Sequence, residues 1–88
     1  MLVFTTTSFN KDISKIRDKK IALRIEQAIK NLEQASSVTE ITSVKKLAGH
    51  TNAYRIRIGD YRLGFFLVNK NAHLTVFAHR KDIYRSFP

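Results

Sequence analysis

The fold is decided by residues 53–78, which read AYRIRIGDYRLGFFLVNKNAHLTVFA. Three runs within this stretch have the apolar, β-branched and aromatic composition that is typical of strands: 53–58, 61–68 and 73–78. Only Gly59 and Asp60 separate the first two runs, which is hairpin spacing, and a polar turn composition separates the next two. The stretch therefore predicts three consecutive antiparallel strands.

The residues before this stretch predict one more strand and two helices. Residues 2–6 are β-branched and aromatic, which indicates a strand. Apolar residues at helical spacing predict a helix over about 8–17, capped by Ser8, and a second helix over about 19–35, capped by Asp18. The order β-α-α-β-β-β predicts an α+β fold in which both helices pack on one face of an antiparallel sheet.

Length and composition limit the possible classes of protein. The chain has 88 residues, so we expect a single domain over residues 1–88. It has no cysteine, which excludes disulfides, thiolate zinc sites and cysteine nucleophiles. No apolar run is long enough to span a membrane, and the N-terminal residues lack the pattern of a secretory signal. We therefore expect a cytoplasmic protein that does not act at a membrane.

Positive charge dominates the composition. The formal net charge is +9, from sixteen lysines and arginines against seven acidic residues. The charge is uneven, because residues 1–44 carry a net charge of +2 and residues 45–88 carry +7. Such a field attracts nucleic acid, an anionic membrane surface or an acidic protein, although a small basic protein also gains solubility from it.

Side chains alternate between the two faces of a strand, which separates cations from aliphatic residues in the predicted sheet. One face is predicted to carry cations and imidazoles: Arg55, Arg57, Arg62, His73 and His79. The other face is aliphatic: Ile56, Ile58, Leu63, Leu67, Leu74, Val76 and Ala78. Burying unpaired arginines would cost several kcal/mol each, so we expect the helices to cover the aliphatic face.

The open face has features of a phosphate-binding surface. Arg55 and Arg57 are about 6.6 Å apart along one strand, close to the spacing of neighbouring phosphates, and guanidinium groups match phosphate oxygens. Gly64 either lets a ligand approach the sheet or marks a bulge. Phe66 and Phe77 either stack on bases or pack under the C-terminal segment.

The chain ends with a segment rich in groups that could do chemistry, from Ala78 to Arg85, reading AHRKDIYR. Together with the arginines, such groups could cleave RNA through attack of a 2′-hydroxyl on the neighbouring phosphate. That reaction needs a proton acceptor, cations for the phosphorane charge and a proton donor. His79 is the predicted proton-transfer group, because imidazole titrates near neutral pH and guanidinium does not. His79 and Tyr84 each also have a purely structural alternative. His79 could be a histidine at a strand end that bonds to backbone, and Tyr84 could anchor the tail in the core.

No pattern in the sequence predicts a metal or another cofactor. The three histidines lack ligand spacing with nearby acids, and there is no glycine-rich phosphate loop or paired-carboxylate site. We therefore expect a reaction that uses no cofactor.

The chain resembles the RelE/ParE superfamily of bacterial type II toxins over nearly its whole length. The resemblance is carried by the order of elements and by four strings: Lys45-Lys46-Leu47-Ala48-Gly49, Tyr54-Arg55-Ile56-Arg57, Asp60-Tyr61-Arg62-Leu63, and Ala78-His79-Arg80-Lys81-Asp82-Ile83-Tyr84. It implies a toxin that is neutralised by a cognate acidic antitoxin and that meets operator DNA only within the toxin–antitoxin complex.

RelE-like members cut messenger RNA in the ribosomal A site, so the resemblance implies a metal-independent endoribonuclease. The predicted catalytic residues are Arg57, Arg62, His79, Arg80 and Tyr84, the last as a base-stacking tyrosine. The predicted RNA-binding residues are Lys45, Lys46, Arg55, Lys81 and Arg85. Many RelE-like members have lysines where this chain has Arg55 and Arg57, which leaves His79 as the candidate proton acceptor. The alternatives are a ParE-like inhibitor of DNA gyrase and a non-catalytic nucleic-acid-binding homologue.

Overall fold

A five-stranded sheet with two helices on one face forms the body of the molecule. The computed structural model describes residues 1–88. Its elements are β1 (Val3–Thr5), α1 (Thr7–Ser14), α2 (Lys19–Gln34), β2 (Val44–Lys46), β3 (Ala53–Ile58), β4 (Tyr61–Val68), β5 (Asn71–His79) and α3 (Ile83–Ser86), with a 3₁₀ turn at Val38–Glu40. The strand order is β1-β5-β4-β3-β2. The α+β class is confirmed.

Capping side chains set the starts of the two long helices. Asp18 accepts hydrogen bonds from the amides of Lys20 and Ile21, at 2.8 and 3.4 Å, and begins α2 as predicted. In α1 the cap is Thr6 and not Ser8, because Thr6 Oγ1 accepts the hydrogen bond of the third helical amide at 3.0 Å. Accordingly, α1 starts one residue before the predicted start.

The sheet contains two strand pairings that the sequence did not predict. The short β2 pairs antiparallel with β3 and places Lys45 opposite Arg55. The first strand pairs in parallel with β5 and places Phe4 opposite His73, so the sheet is mixed and not wholly antiparallel. Strands of three residues are too short for alternation to show in the sequence, and their partners lie far away in the chain.

The side chains buried by the fold form two clusters on opposite faces of the sheet. The main core lies between the sheet and α1 and α2, and includes Phe9, Ile25, Leu32, Ile56, Leu63, Phe65, Leu74 and Phe77. A smaller cluster lies on the other face, under the C-terminal residues; we call it the tail cluster: Leu47, Ala53, Val76, Ile83 and Phe87. The helices thus cover the aliphatic side of β3 and β4, as predicted. None of the helices has the length and apolar composition that a membrane crossing requires.

A β-bulge interrupts the alternation of side chains along β5. Gly64 lies opposite Val76, whereas the next residue, Phe65, lies opposite Leu74. Thr75 is therefore the extra residue that has no partner on β4. Since one inserted residue exchanges the two faces of a strand, the residues of β5 after the bulge lie on the face opposite to the one predicted.

This exchange of faces at the bulge corrects the prediction for the end of β5. Phe77 lies in the main core and stacks on Tyr61 at 5.1 Å between ring centroids, so it cannot stack on a base. Val76 and Ala78 lie on the face of the sheet that carries the tail cluster. The alternation of side chains had predicted that both would lie under the helices. His79 also changes face, with consequences for the site described below.

A carboxylate from α1 is bonded to the backbone just after the bulge. Asp12 Oδ2 accepts the amide hydrogen of Phe77 at 3.0 Å, across a sequence separation of 65 residues. The bond joins the first helix to the strand at the point where the ladder is irregular. It therefore supports the register that carries Phe77 into the main core.

Removing this carboxylate should destabilise the fold. We expect Asp12→Ala to lower the free energy of unfolding by about 1–3 kcal/mol, because the partly buried amide of Phe77 loses its acceptor. Asp12→Asn keeps an oxygen acceptor and should lose less. Urea unfolding measures the difference, with Asp82→Ala, which breaks only an exposed ion pair, as the matched control. Equal stability of Asp12→Ala and the wild type would contradict this role.

Candidate nucleic-acid interface

Four cations on neighbouring strands lie together on the sheet face that α1 and α2 leave open. Lys45 lies directly opposite Arg55, and Arg57 lies directly opposite Arg62, so each pair shares a face. The four side chains line a groove of about 360 Å³, together with Ser43 and Val44; we call it the arginine groove. The structure thus brings together the three strand arginines that alternation had placed on one face.

No carboxylate neutralises this cluster of cations. The only ion pair in the structure joins Arg85 to Asp82 at 3.8 Å, and both side chains are exposed. Like charges directly opposite each other, as at Arg57 and Arg62, destabilise a sheet. A set of uncompensated cations that lines a groove indicates a binding site for an anion.

Arg62 lies in the middle of the cationic cluster and is held by backbone. Its Nη1 donates to the carbonyl oxygens of Gly59, at 3.0 Å, and Tyr61, at 2.8 Å, in the turn between β3 and β4. These two bonds orient one nitrogen of the guanidinium. The other nitrogens make no hydrogen bond within the chain and remain available to a ligand.

The electrostatics of Arg62 show which groups surround it. Burial lowers the pKa of Arg62, and repulsion from Arg55, Arg57 and Arg80 lowers that pKa further, whereas Tyr84 acts in the opposite direction. Arg80 and Tyr84, which follow the last strand, therefore lie close enough to Arg62 to act on its charge. The C-terminal segment thus lies beside the strand arginines.

Arg55 carries a buried polar atom without a partner. Its Nε is inaccessible to solvent and makes no hydrogen bond within the chain. Buried donors are paired in the great majority of cases, and leaving one unpaired costs about 1–3 kcal/mol. The rest of the Arg55 side chain lines the arginine groove, where an anion would meet its guanidinium.

The C-terminal segment is docked on the sheet by two apolar anchors, Ile83 and Phe87, both buried in the tail cluster. The ring of Phe87 packs against Phe66 at 5.0 Å between centroids. It also fills the space over Gly64, where a Cβ would lie 2.7 Å from Phe87 Cδ2. Gly64 therefore makes room for the tail and not for a ligand. The other alternative for Gly64, a bulge, is confirmed by the register shift between Gly64 and Phe65, and so is the packing of Phe66 under the tail.

Tyr84 is presented to solvent beside the cations. Tyr84 is 62% exposed, whereas the neighbouring Ile83 is fully buried and anchors the segment. Tyr84 lines a second groove with Lys45 and Lys46, between α3 and the loop after β2. The phenol ring is therefore free to contact a ligand that occupies the cationic surface.

A family model described as "ParE toxin of type II toxin-antitoxin system" matches residues 3–84. The chain belongs to this family of toxins. The match covers all five strands and both long helices, and it confirms the resemblance to the RelE/ParE superfamily.

Individual relatives of the toxin are found at full length. Toxin RelE3 of Methanocaldococcus jannaschii is 34% identical over 92 residues, with both chains covered completely. The RelB–RelE antitoxin–toxin complex from Methanococcus jannaschii matches with a TM-score of 0.81 and 30% identity, over 97% of the toxin and 99% of that chain. The archaeal RelE–RelB complex from Pyrococcus horikoshii OT3 matches in fold, with a TM-score of 0.73, 24% identity, and 90% and 93% coverage.

His79 of the toxin does not lie on the face of the arginines. It pairs with Tyr61, whose ring packs edge-on against the imidazole at 5.7 Å, on the helix side of the sheet. The prediction was wrong because the extra residue, Thr75, inverts the alternation. His79 is also bonded to backbone, as its Nδ1 accepts the amide hydrogen of Lys81 at 3.2 Å.

This hydrogen bond determines the form of the neutral imidazole. With Nδ1 of His79 acting as acceptor, the ring proton is on Nε2, so the free nitrogen is a donor. A neutral ring in this form has no second nitrogen to accept a proton. In this form His79 offers Nε2–H as a hydrogen-bond donor and has no free nitrogen for the predicted role of proton acceptor.

The remaining predicted RNA-binding residues lie at the edges of the site. Lys81 and Arg85 are exposed on the C-terminal segment, and Arg85 is near Asp82. Lys46 pairs with Tyr54 and so belongs by register to the helix side, but at the end of β2 it lines the second groove. His50 lines the same groove and was missed as a site residue; its place after the Lys-Lys-Leu-Ala-Gly string was the available signal.

Proposed function

We propose that the toxin is an endoribonuclease that cleaves messenger RNA in the ribosomal A site and so inhibits translation. The observation that carries the proposal is the groove lined by Lys45, Arg55, Arg57 and Arg62 without an acidic partner. Arg80 and Tyr84 lie close enough to act on the pKa of Arg62. The full-length similarity to a protein named Toxin RelE3 supports a RelE-like activity.

In the proposed reaction the ribose 2′-oxygen attacks the adjacent phosphorus, and the bond from phosphorus to the 5′-oxygen breaks. The products are a 2′,3′-cyclic phosphate and a 5′-hydroxyl. Arg57 and Arg62 bind the non-bridging oxygens, and Arg80 adds positive charge as the phosphorane becomes more negative than the ground state. Fixed donors of this kind stabilise the transition state more than the ground state, because the charge develops in the transition state.

Both proton transfers pass through water. The leaving 5′-oxygen takes its proton from water, because His79 lies on the helix side of the sheet, away from the arginines, and its neutral imidazole does not give up the Nε2 proton. The 2′-hydroxyl proton passes to water, because a guanidinium group does not accept a proton at neutral pH. Tyr84 stacks on a base next to the scissile phosphate and orients the attacking ribose.

Toeprinting of a translated message tests the proposal. The purified toxin should create a new cut within the A-site codon, and Arg80→Ala should slow that cut about 100-fold or more while the cut site stays the same. Arg17→Ala, an exposed change between α1 and α2, is the control and should cut at the wild-type rate. Active translation with no new cut would reject the proposal, and an unaltered rate for Arg80→Ala would reject its role in stabilising the phosphorane.

We further propose an acidic antitoxin as the partner that masks the toxin. The similar RelB–RelE structure from Methanococcus jannaschii is an antitoxin–toxin complex, and a protein with a net charge of +9 attracts an acidic segment. Contact with operator DNA is then made through the toxin–antitoxin complex. A toxin that acts on the ribosome in this way would work in the cytoplasm.

Inhibition of DNA gyrase is the second candidate, because the family model that matches residues 3–84 is that of the ParE toxins. A supercoiling assay with purified gyrase separates the two candidates. Loss of supercoiling with no A-site cut would identify the toxin as a gyrase inhibitor. Cutting of the message with normal supercoiling would support the ribonuclease.

A further inference from the structure

The second groove lies beside the arginine groove and is built by two parts of the chain. One wall is the loop between β2 and β3, with Leu47 and His50, and the other is the C-terminal segment, with Tyr84 and Phe87. We call it the loop groove. Its volume is about 410 Å³, which lies in the range of small-ligand sites.

The two walls of the loop groove are held together by the tail cluster. Leu47 of the loop packs in that cluster with Ile83 and Phe87 of the C-terminal segment. The distance between the walls is therefore set by buried contacts. A groove with walls fixed in this way needs little ordering before it binds a ligand.

The loop itself is closed by short-range backbone bonds. The amide of Leu47 donates to the carbonyl of Ala53 at 2.9 Å, and the amide of His50 donates to the carbonyl of Leu47 at 3.3 Å. Gly49 has a φ of +80°, a conformation that glycine adopts without strain, and this turns the chain just before His50. The imidazole is thus carried on a defined turn.

Lys45 lines both grooves, so the two form one continuous cationic surface. The loop groove combines apolar side chains with Lys45, Lys46 and His50 at its edge. A nucleotide has the matching parts, because its base has an apolar face and its phosphate is anionic. A ligand whose phosphate occupies the arginine groove would place its neighbouring nucleotide here.

We propose that the loop groove binds the nucleotide next to the scissile one, and that His50 and Lys46 are its specificity-determining contacts. Lys46 binds the flanking phosphate, and His50 packs on the flanking base from the side opposite Tyr84. The inference rests on the proposed function, since it takes RNA as the ligand of the arginine groove. It adds a second binding position and assigns a role to His50.

The test uses an RNA that cannot be cut, a trinucleotide with 2′-O-methyl groups, titrated into the ¹⁵N-labelled toxin. We expect the amide resonances of Gly49 and His50 to shift together with those of Arg57 and Arg62. His50→Ala and Lys46→Ala should each raise the Kd about five- to tenfold. Lys30→Ala, which removes an exposed lysine from α2, should leave the Kd unchanged. Both groove variants should keep the wild-type Tm, because the two side chains are exposed.

The outcomes separate this inference from the ribonuclease proposal. If the loop resonances do not move, or if both groove variants bind like the wild type, the flanking site is rejected even when A-site cutting is observed. If the loop resonances shift and both variants bind weakly while no message is cut, the flanking site stands and the ribonuclease proposal falls.

Discussion

Arg62→Ala should slow cleavage of the message about 100- to 1000-fold and leave the fold intact. Arg62 lies among three other arginines and no carboxylate, so its removal also removes repulsion from the folded state. That gain opposes the loss of its two hydrogen bonds to backbone carbonyls. We therefore expect the free energy of unfolding to change by no more than about 1 kcal/mol.

Rates of A-site cutting and urea unfolding curves check the two parts of this expectation. Arg62→Lys retains the charge without the planar fork and should lie between alanine and the wild type. Arg17→Ala removes the same side chain outside the arginine groove and should cut normally. If Arg62→Ala cut at the wild-type rate, Arg62 would have no part in binding the reacting phosphate.

Phe87→Ala should reduce cleavage about 100-fold or more, although Phe87 contacts none of the reacting groups in the proposed mechanism. The ring is 1% exposed and covers Gly64, so it anchors the segment that carries Arg80 and Tyr84. Misplacing a catalytic group by about 1 Å is enough to cost about 100-fold in rate. Removing a buried phenylalanine also costs about 3–5 kcal/mol where the site cannot collapse.

The matched control is Phe4→Ala, the same change at a residue that is 47% exposed, and its cleavage rate should be normal. Circular dichroism shows whether the sheet persists in Phe87→Ala. If that variant does not fold, Phe87→Leu retains an apolar anchor and should show a smaller loss of cleavage with the sheet intact. Normal cleavage by a folded Phe87→Ala would show that the anchor does not position the site.

Much of the fold could be predicted because its signals are local. Strands β3 and β4 have the predicted bounds, since each has enough residues for alternation to show and a two-residue turn joins them. Helix α2 starts at the predicted cap, Asp18, because the capping bond spans only three residues. The same alternation was sufficient to place Arg55, Arg57 and Arg62 on one face.

The errors in the prediction of the site have a common origin, because they depend on contacts between distant parts of the chain. The bulge at Thr75 involves the partner strand and a carboxylate from α1, and nothing in the residues around Thr75 marks it. It moved His79 to the helix side. Gly64, on the partner strand, gave the bulge as one of two alternatives. The other, an opening for a ligand, was wrong because the residue that covers Gly64, Phe87, is near the end of the chain.

The amino-acid sequence by itself determined the α+β class, the long helices, the central hairpin and the side of the sheet on which the strand arginines lie. These follow from periodicity and from turn and cap residues, which act over a few positions. Only the tertiary structure decided the form of the imidazole at His79, the anchoring of the tail through Phe87 and the second groove beside His50. Each of these depends on side chains that meet across the sheet, and a single extra residue in one strand is enough to exchange its faces.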